Sequence, residues 1–251
     1  MRRLHLVTAS EAPVVARPVL AGGLVPPMAA GFTGAAGEAC EIFPGRRTLL
    51  LGLGPAWSEA AAERAGALAA ARLAEVPHVA LDARRVPAPM AVALGLGAAL
   101  RAWHLPAHRH SPDPEAPRLA RLDLLVDEPS ALRPAWAAAQ AVWRGVLWAR
   151  RAVATPANLL TPAVFCERLA RLRRLGLTLE VLGPRALREA GLGALLAVGA
   201  ASAEAPRLAV LRWPGEGEGD PVVFVGKGIT FDTGGVCLKP AERMWEMRAD
   251  M

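Results

Sequence analysis

Two lysines and two aspartates stand near the end of the chain. Lys227, Asp232 and Lys239 lie in the string VGKGITFDTGGVCLKP (Val225 to Pro240), and Asp250 follows after Met247 and Arg248. Lys227 and Lys239 are the only lysines among 29 Lys and Arg residues. The chain is otherwise rich in Ala, Gly, Pro and Arg and has no Tyr. That bias matches drift in base composition, under which solvated cations become Arg. Arg is a permanently charged planar fork, whereas a buried Lys can lose its proton and offer a neutral amine as metal ligand or base. Two lysines kept against the drift are candidates for work that Arg cannot do. A neutral amine with carboxylates suits a divalent ion such as Zn²⁺, Mn²⁺, Mg²⁺ or Co²⁺. Two such ions about 3.5–4 Å apart can activate a water and clamp a tetrahedral intermediate. A plainer reading fits the same residues: Asp232 caps a turn and Asp250 sits on a solvated helix face.

These side chains need a rigid mount. Val222–Val225 is short, apolar and mostly β-branched, and it reads as a buried strand. Gly226, Gly228, Gly234 and Gly235 then let the backbone turn sharply and approach a ligand closely. Functional groups on a loop just past a buried strand are held by a rigid scaffold.

The string VGKGITFDTGGVCLKP, with Met244 and the ending Glu246-Met247-Arg248-Ala249-Asp250-Met251, closely resembles the leucyl aminopeptidase family. Members of that family are two-metal exopeptidases that remove N-terminal residues. The resemblance implies that Lys227 ligates one metal through its amine, that Asp232 bridges both metals and that Asp250 ligates the same metal as Lys227. It implies that Lys239 is the catalytic lysine, polarising the scissile carbonyl and stabilising the gem-diolate. The implied cofactors are two divalent ions, Mn²⁺ or Zn²⁺. The implied partners are peptide substrates and further copies of the chain, since family members are hexamers.

Arg248 stands where family members usually have Lys, and Cys237 where they often have Ser. The family's catalytic domain continues to a later N-T-D-A-E-G-R motif, which brings another Asp, a Glu and the Arg that holds a bicarbonate base. That motif is not among the 251 residues. The expectation is therefore a partial catalytic domain, with weak or single-metal binding and no turnover by the chain alone. The alternatives are a non-catalytic truncated product and a DNA-binding protein.

Composition bounds these readings. At 53% hydrophobic residues the chain is not disordered, and much of that content is alanine. No apolar run of membrane-spanning length occurs, and Glu11 interrupts the N-terminal segment too early for a signal-peptide core. Cys40, Cys166 and Cys237 are odd in number and widely spaced, as suits free thiols in a reducing cytosol. The net charge of +6 is compatible with nucleic acid. The arginines, however, interleave with acids, and the densest group (Arg168, Arg171, Arg173, Arg174) reads as a solvated helix face.

Along the chain, strands are expected at Leu4–Thr8, Pro13–Leu20, Thr48–Leu53, His78–Ala83 and Arg121–Val126. Helices are expected from Ser58 to Glu75, with Ser58 as cap, and from Met90 to Trp103, with Gly95 and Gly97 for close packing. His104, His108 and His110 cluster beside Arg109 in a Pro-rich setting that reads as a loop. The fold class is α/β: an N-terminal α/β domain with a partly parallel sheet (1–130), a linker helix (131–154) and the first part of an α/β aminopeptidase catalytic domain (155–251). Trp136, Trp143 and Trp148 fall on one face of the linker helix and are expected to pack between domains. Thr161 should cap a helix with Pro162 at its first position and Gly176 at its end. Strands at Leu177–Leu182, Leu208–Trp213 and Pro221–Val225 then lead to the lysines.

Overall fold

A computed structural model describes residues 3–105, 119–215, 219–235 and 238–250, without the side chains of Arg3, Ala249 and Asp250. It divides into two compact units, Met1–Leu147 and Trp148–Met251. The division falls inside one long helix.

The first unit holds a six-stranded sheet. Its strands are β1 (Arg3–Val7), β2 (Val14–Val19), β3 (Ala39–Ile42), β4 (Arg47–Gly52), β5 (His78–Asp82) and β6 (Arg121–Leu125). Their order is β1-β6-β5-β2-β4-β3, parallel throughout except for the antiparallel edge strand β3. Helices α1 (Glu59–Arg72) and α2 (Ala88–Arg101) cover one face. Alternate strand residues point at them, so Val14, Ala16, Leu49, Leu51, Val79, Leu81, Leu122 and Leu124 join the helical alanines in one core. Ser58 caps α1, its Oγ accepting from the Ala61 N–H at 3.2 Å. At Gly97 an added Cβ would stand 2.0 Å from the Glu63 carbonyl oxygen, so only glycine lets α2 pack this tightly on α1.

The other face carries the charges. Asp123, at 0% exposure, accepts from Ser10 Oγ at 2.5 Å and from Arg121 Nε at 2.8 Å, with His78 Nε2 2.8 Å away. Asp82 accepts from Arg17 Nε at 3.2 Å and from Arg84 Nε at 2.9 Å. Burial alone would raise both carboxyls. The arginine bonds and charges outweigh it, with Ser10 and His78 adding to the effect at Asp123, and both groups lie below the usual carboxylate range. Ala12, from the β1–β2 connection, buries itself with Val15, Ala80 and Leu125 on this face.

Helix α3 runs from Pro129 to Ala154, with Pro134 inside it. Pro134 is exposed, and its missing N–H leaves one carbonyl of the first turn without its helical donor. Trp136 packs on Gly95 in the first unit, where an added Cβ would meet its ring at 3.1 Å. Trp143 is also buried, while Trp148 tilts against Phe165 in the second unit with ring centroids 6.0 Å apart.

The second unit has a smaller apolar interior, around Leu160, Cys166, Leu169, Leu179 and Leu187. Helix α4 (Pro162–Ala170) starts at Thr161, whose Oγ1 accepts from the Val164 N–H at 3.4 Å. A 3₁₀ turn (Arg171–Leu175) continues it to Gly176, which is left-handed at φ 92°. Strand β7 (Thr178–Leu182), helices α5 (Pro184–Glu189) and α6 (Gly193–Gly199) and strand β8 (Leu208–Arg212) follow, with β8 antiparallel to β7.

The expected strand at Pro221–Val225 is not formed. Val222, Val223, Phe224 and Val225 are exposed at 82, 73, 92 and 94%, with no ladder partner among the described residues. β-branched composition favours a strand only where a neighbouring strand completes its hydrogen bonds. Here β8 pairs with β7 alone among the described residues, and Pro214 and Pro221 interrupt the path from β8.

Candidate functional site

The C-terminal loop is closed by its own hydrogen bonds. Asp232 Oδ1 accepts from the Gly234 N–H at 2.7 Å, an aspartate turn of the kind that short polar side chains favour. Thr233 Oγ1 donates to the Gly235 carbonyl at 2.6 Å, and the Lys239 N–H donates to the Thr233 carbonyl at 3.0 Å. These bonds return Lys239 to Asp232. Gly234 sits at φ +78°, and an added Cβ would come within 3.0 Å of Lys239 Cγ. The lysine stem thus lies over the glycine on its way to the carboxylate.

The outcome is an ion pair. Lys239 Nζ stands 2.7 Å from Asp232 Oδ2, with both side chains one-third exposed (33%). The same ammonium is 3.2 Å from Met247 Sδ, on the 3₁₀ turn Met244–Asp250. Asp232 is held below the usual carboxylate range, first by the Lys239 hydrogen bond and then by the Gly234 N–H, with the charges of Lys239 and Lys227 adding to it. Beside Lys239 lies an open hollow of about 390 Å³, lined by Pro240, Met244 and Met247 among others.

Of the residues singled out in the sequence, Asp232 and Lys239 meet directly. Lys227 is exposed, and its charge is felt at Asp232. The side chain of Asp250 lies outside the described residues, as do Cys237, His108, Arg109 and His110. Asp232 caps a turn, as the plainer sequence reading has it, and its other oxygen faces the Lys239 ammonium. Arg248 takes a structural part, Nη1 donating to the Ala154 carbonyl at the end of α3 (3.2 Å) and its guanidinium 6.0 Å from the Trp245 ring centre. Met247 is the contact that sequence reasoning missed. Its place in the string was visible, but a thioether gives no signal of its own for contact with an ammonium.

A carboxylate held ionised and already facing a cation fits a divalent ion, whereas Lys227, which is exposed, would have to give up its proton to the ion to serve as a further donor. Among the described residues no group of three or more His, Cys, Asp or Glu side chains converges. No helix among them is long and apolar enough to cross a membrane.

Comparisons with known proteins bear on the same region. Residues 147–251 match the cytosol aminopeptidase family, catalytic domain. A probable cytosol aminopeptidase of Rhizobium meliloti is 37% identical over 236 residues, covering 88% of this chain and 48% of the relative. One of Gluconobacter oxydans is 42% identical over 156 residues, covering 62% and 32%. Among solved structures, the bottromycin maturation enzyme BotP in complex with Mn is 31% identical with a TM-score of 0.75, covering 95% of this chain and 52% of its own. A tomato leucine aminopeptidase mutant shares the fold, with a TM-score of 0.77 over 100% of this chain and 57% of its own at 23% identity. The chain thus spans about half the length, or less, of these relatives.

Proposed function

Because the chain belongs to the cytosol aminopeptidase family, we propose that it serves a metal-dependent aminopeptidase that releases N-terminal amino acids from peptides. Lys227, Asp232 and Asp250 are the proposed metal ligands and Lys239 the catalytic lysine. The observation that carries this reading is the 2.7 Å pairing of Lys239 with Asp232, inside the stretch that matches the family's catalytic domain. Two divalent ions, Mn²⁺ or Zn²⁺, would supply Lewis-acid polarisation and a water nucleophile when bound. Asp232 and Asp250 would hold positive charge with their carboxylates, and Lys227 would add an amine. Lys239 would donate a hydrogen bond to the scissile carbonyl oxygen, where negative charge develops. The hollow beside Lys239 and Met247, which Glu242, Arg243 and Glu246 also line, would receive the substrate's first side chain. A cytoplasmic homo-oligomer acting on peptides completes the proposal.

The test is Mn²⁺-dependent release of p-nitroaniline from leucine p-nitroanilide by the protein purified from its own source. Replacing Lys239 by Ala is expected to lower kcat by about 10²–10³, the usual cost of losing one donor to a developing oxyanion. Turnover that survives chelation of metal, or that Lys239→Ala leaves unchanged, overturns the reading.

A further inference from the structure

We propose that Lys239 has a second role, as the resident counter-ion of Asp232 in the metal-free protein, which the first divalent ion must displace. The inference rests on the reading of Asp232 as a metal ligand. Three observations carry it. Lys239 Nζ lies 2.7 Å from Asp232 Oδ2, while Oδ1 is taken by the Gly234 N–H, so both carboxylate oxygens have partners before any metal arrives. The loop is shaped around the pair: the Lys239 N–H bonds the Thr233 carbonyl, and the lysine stem crosses Gly234 where a side chain would press on Lys239 Cγ. The pair is also exposed enough to exchange, since each side chain keeps 33% of its surface in water.

The displaced ammonium has somewhere to go. Met247 Sδ is 3.2 Å from Lys239 Nζ on the side of the hollow. A lysine released from Asp232 would stay beside that hollow, where the proposed function needs it. Arrival of the ion and delivery of the catalytic lysine then become one exchange. No bond is made or broken covalently; one cation replaces another on Oδ2.

The chain offers an unusually clean readout, because Lys227 and Lys239 are its only lysines. Labelling lysine at Cε with ¹³C gives two signals, assigned by Lys227→Met and Lys239→Met. In metal-free protein, Asp232→Asn is expected to shift the Lys239 signal. In the unmutated chain, Zn²⁺ is expected to move that signal in the same direction. In calorimetry with Mn²⁺ alone, Lys239→Met is expected to tighten binding about fivefold, the scale of one partly exposed ion pair. Arg243→Met removes another nearby cation, one bonded to Glu246 and not to Asp232, and is expected to leave the Mn²⁺ affinity unchanged.

A Lys239 signal that ignores both Asp232→Asn and saturating Zn²⁺ overturns the inference. So does equal tightening by Lys239→Met and Arg243→Met, which would mean that general charge acts and not the pair. The parent reading fails differently: Mn²⁺ would bind the unmutated chain, Asp232→Asn and Lys239→Met with the same affinity or not at all. That result overturns the exchange as well, even if the metal-free pair is seen.

Discussion

Asp123 and Asp232 each hold a cation, and they hold it in opposite ways. Asp123 lies on the interior strand β6 at 0% exposure, gripped by Arg121, His78 and Ser10 from three separate parts of the chain. Asp232 lies on a loop, one-third exposed, with one ammonium and one amide from its own neighbourhood. A buried carboxylate left without partners is costly, so the first arrangement is fixed by stability. An exposed pair contributes little to stability, so the second can be traded for another cation. The same chemical couple is architecture in one unit and a removable part in the other.

Replacing Asp123 by Ala should give the largest effect. It strands His78 and Arg121, although Arg121 is half-exposed and regains water. A loss of about 3 kcal/mol is expected, at the low end for breaking a buried charged group, and roughly 6–12 °C in the melting temperature of the first unit. A loss too small to resolve in a thermal melt would remove the contrast with Asp232.

Acid should act through the same groups. The Asp82 and Asp123 carboxyls lie lower in the folded chain than their ordinary value. Their contribution is therefore complete above about pH 3.9, the unfolded value, and is lost as pH falls through the lower folded values. Melting temperature followed downwards from about pH 6 should stay level until near that value and then drop. The Asp123→Ala variant should fall less steeply. Parallel curves for the two proteins would mean that other carboxylates carry the acid response.

Much of the fold was legible in the residues, though the buried role of Asp123 was not. Strands β1, β2 and β4 to β6 announce themselves as short apolar runs, and Ser58 and Thr161 mark helix starts because their hydroxyls serve free N–H groups. The short edge strand β3, Ala39-Cys40-Glu41-Ile42, escaped because it has little apolar signal and takes its order from pairing with β4. The opposite error befell Val222–Val225. Its composition says strand, but composition does not say whether a neighbour is at hand to complete the ladder. At the site, the types and spacing of Lys227, Asp232 and Lys239 were readable. That Lys239 turns back onto Asp232 was not, since it depends on a left-handed Gly234 and on the Thr233 carbonyl.

The smallest expected effect is the most telling for the comparison. Asp232→Asn keeps the shape of the side chain and its Oδ1 acceptor for the Gly234 N–H, and removes only the charge that Lys239 meets. Because the pair is solvated, its loss is screened, and the thermal melt should not move measurably. The fold would thus be untouched while Mn²⁺ affinity falls, since an amide oxygen is a much poorer ligand than a carboxylate for a hard divalent ion. A calorimetric titration beside a thermal melt separates the two. A drop in melting temperature as large as that of Asp123→Ala would mean that the loop is held by its ion pair as firmly as the sheet is by Asp123. Asp232 would then be part of the architecture, and not a carboxylate kept available for exchange.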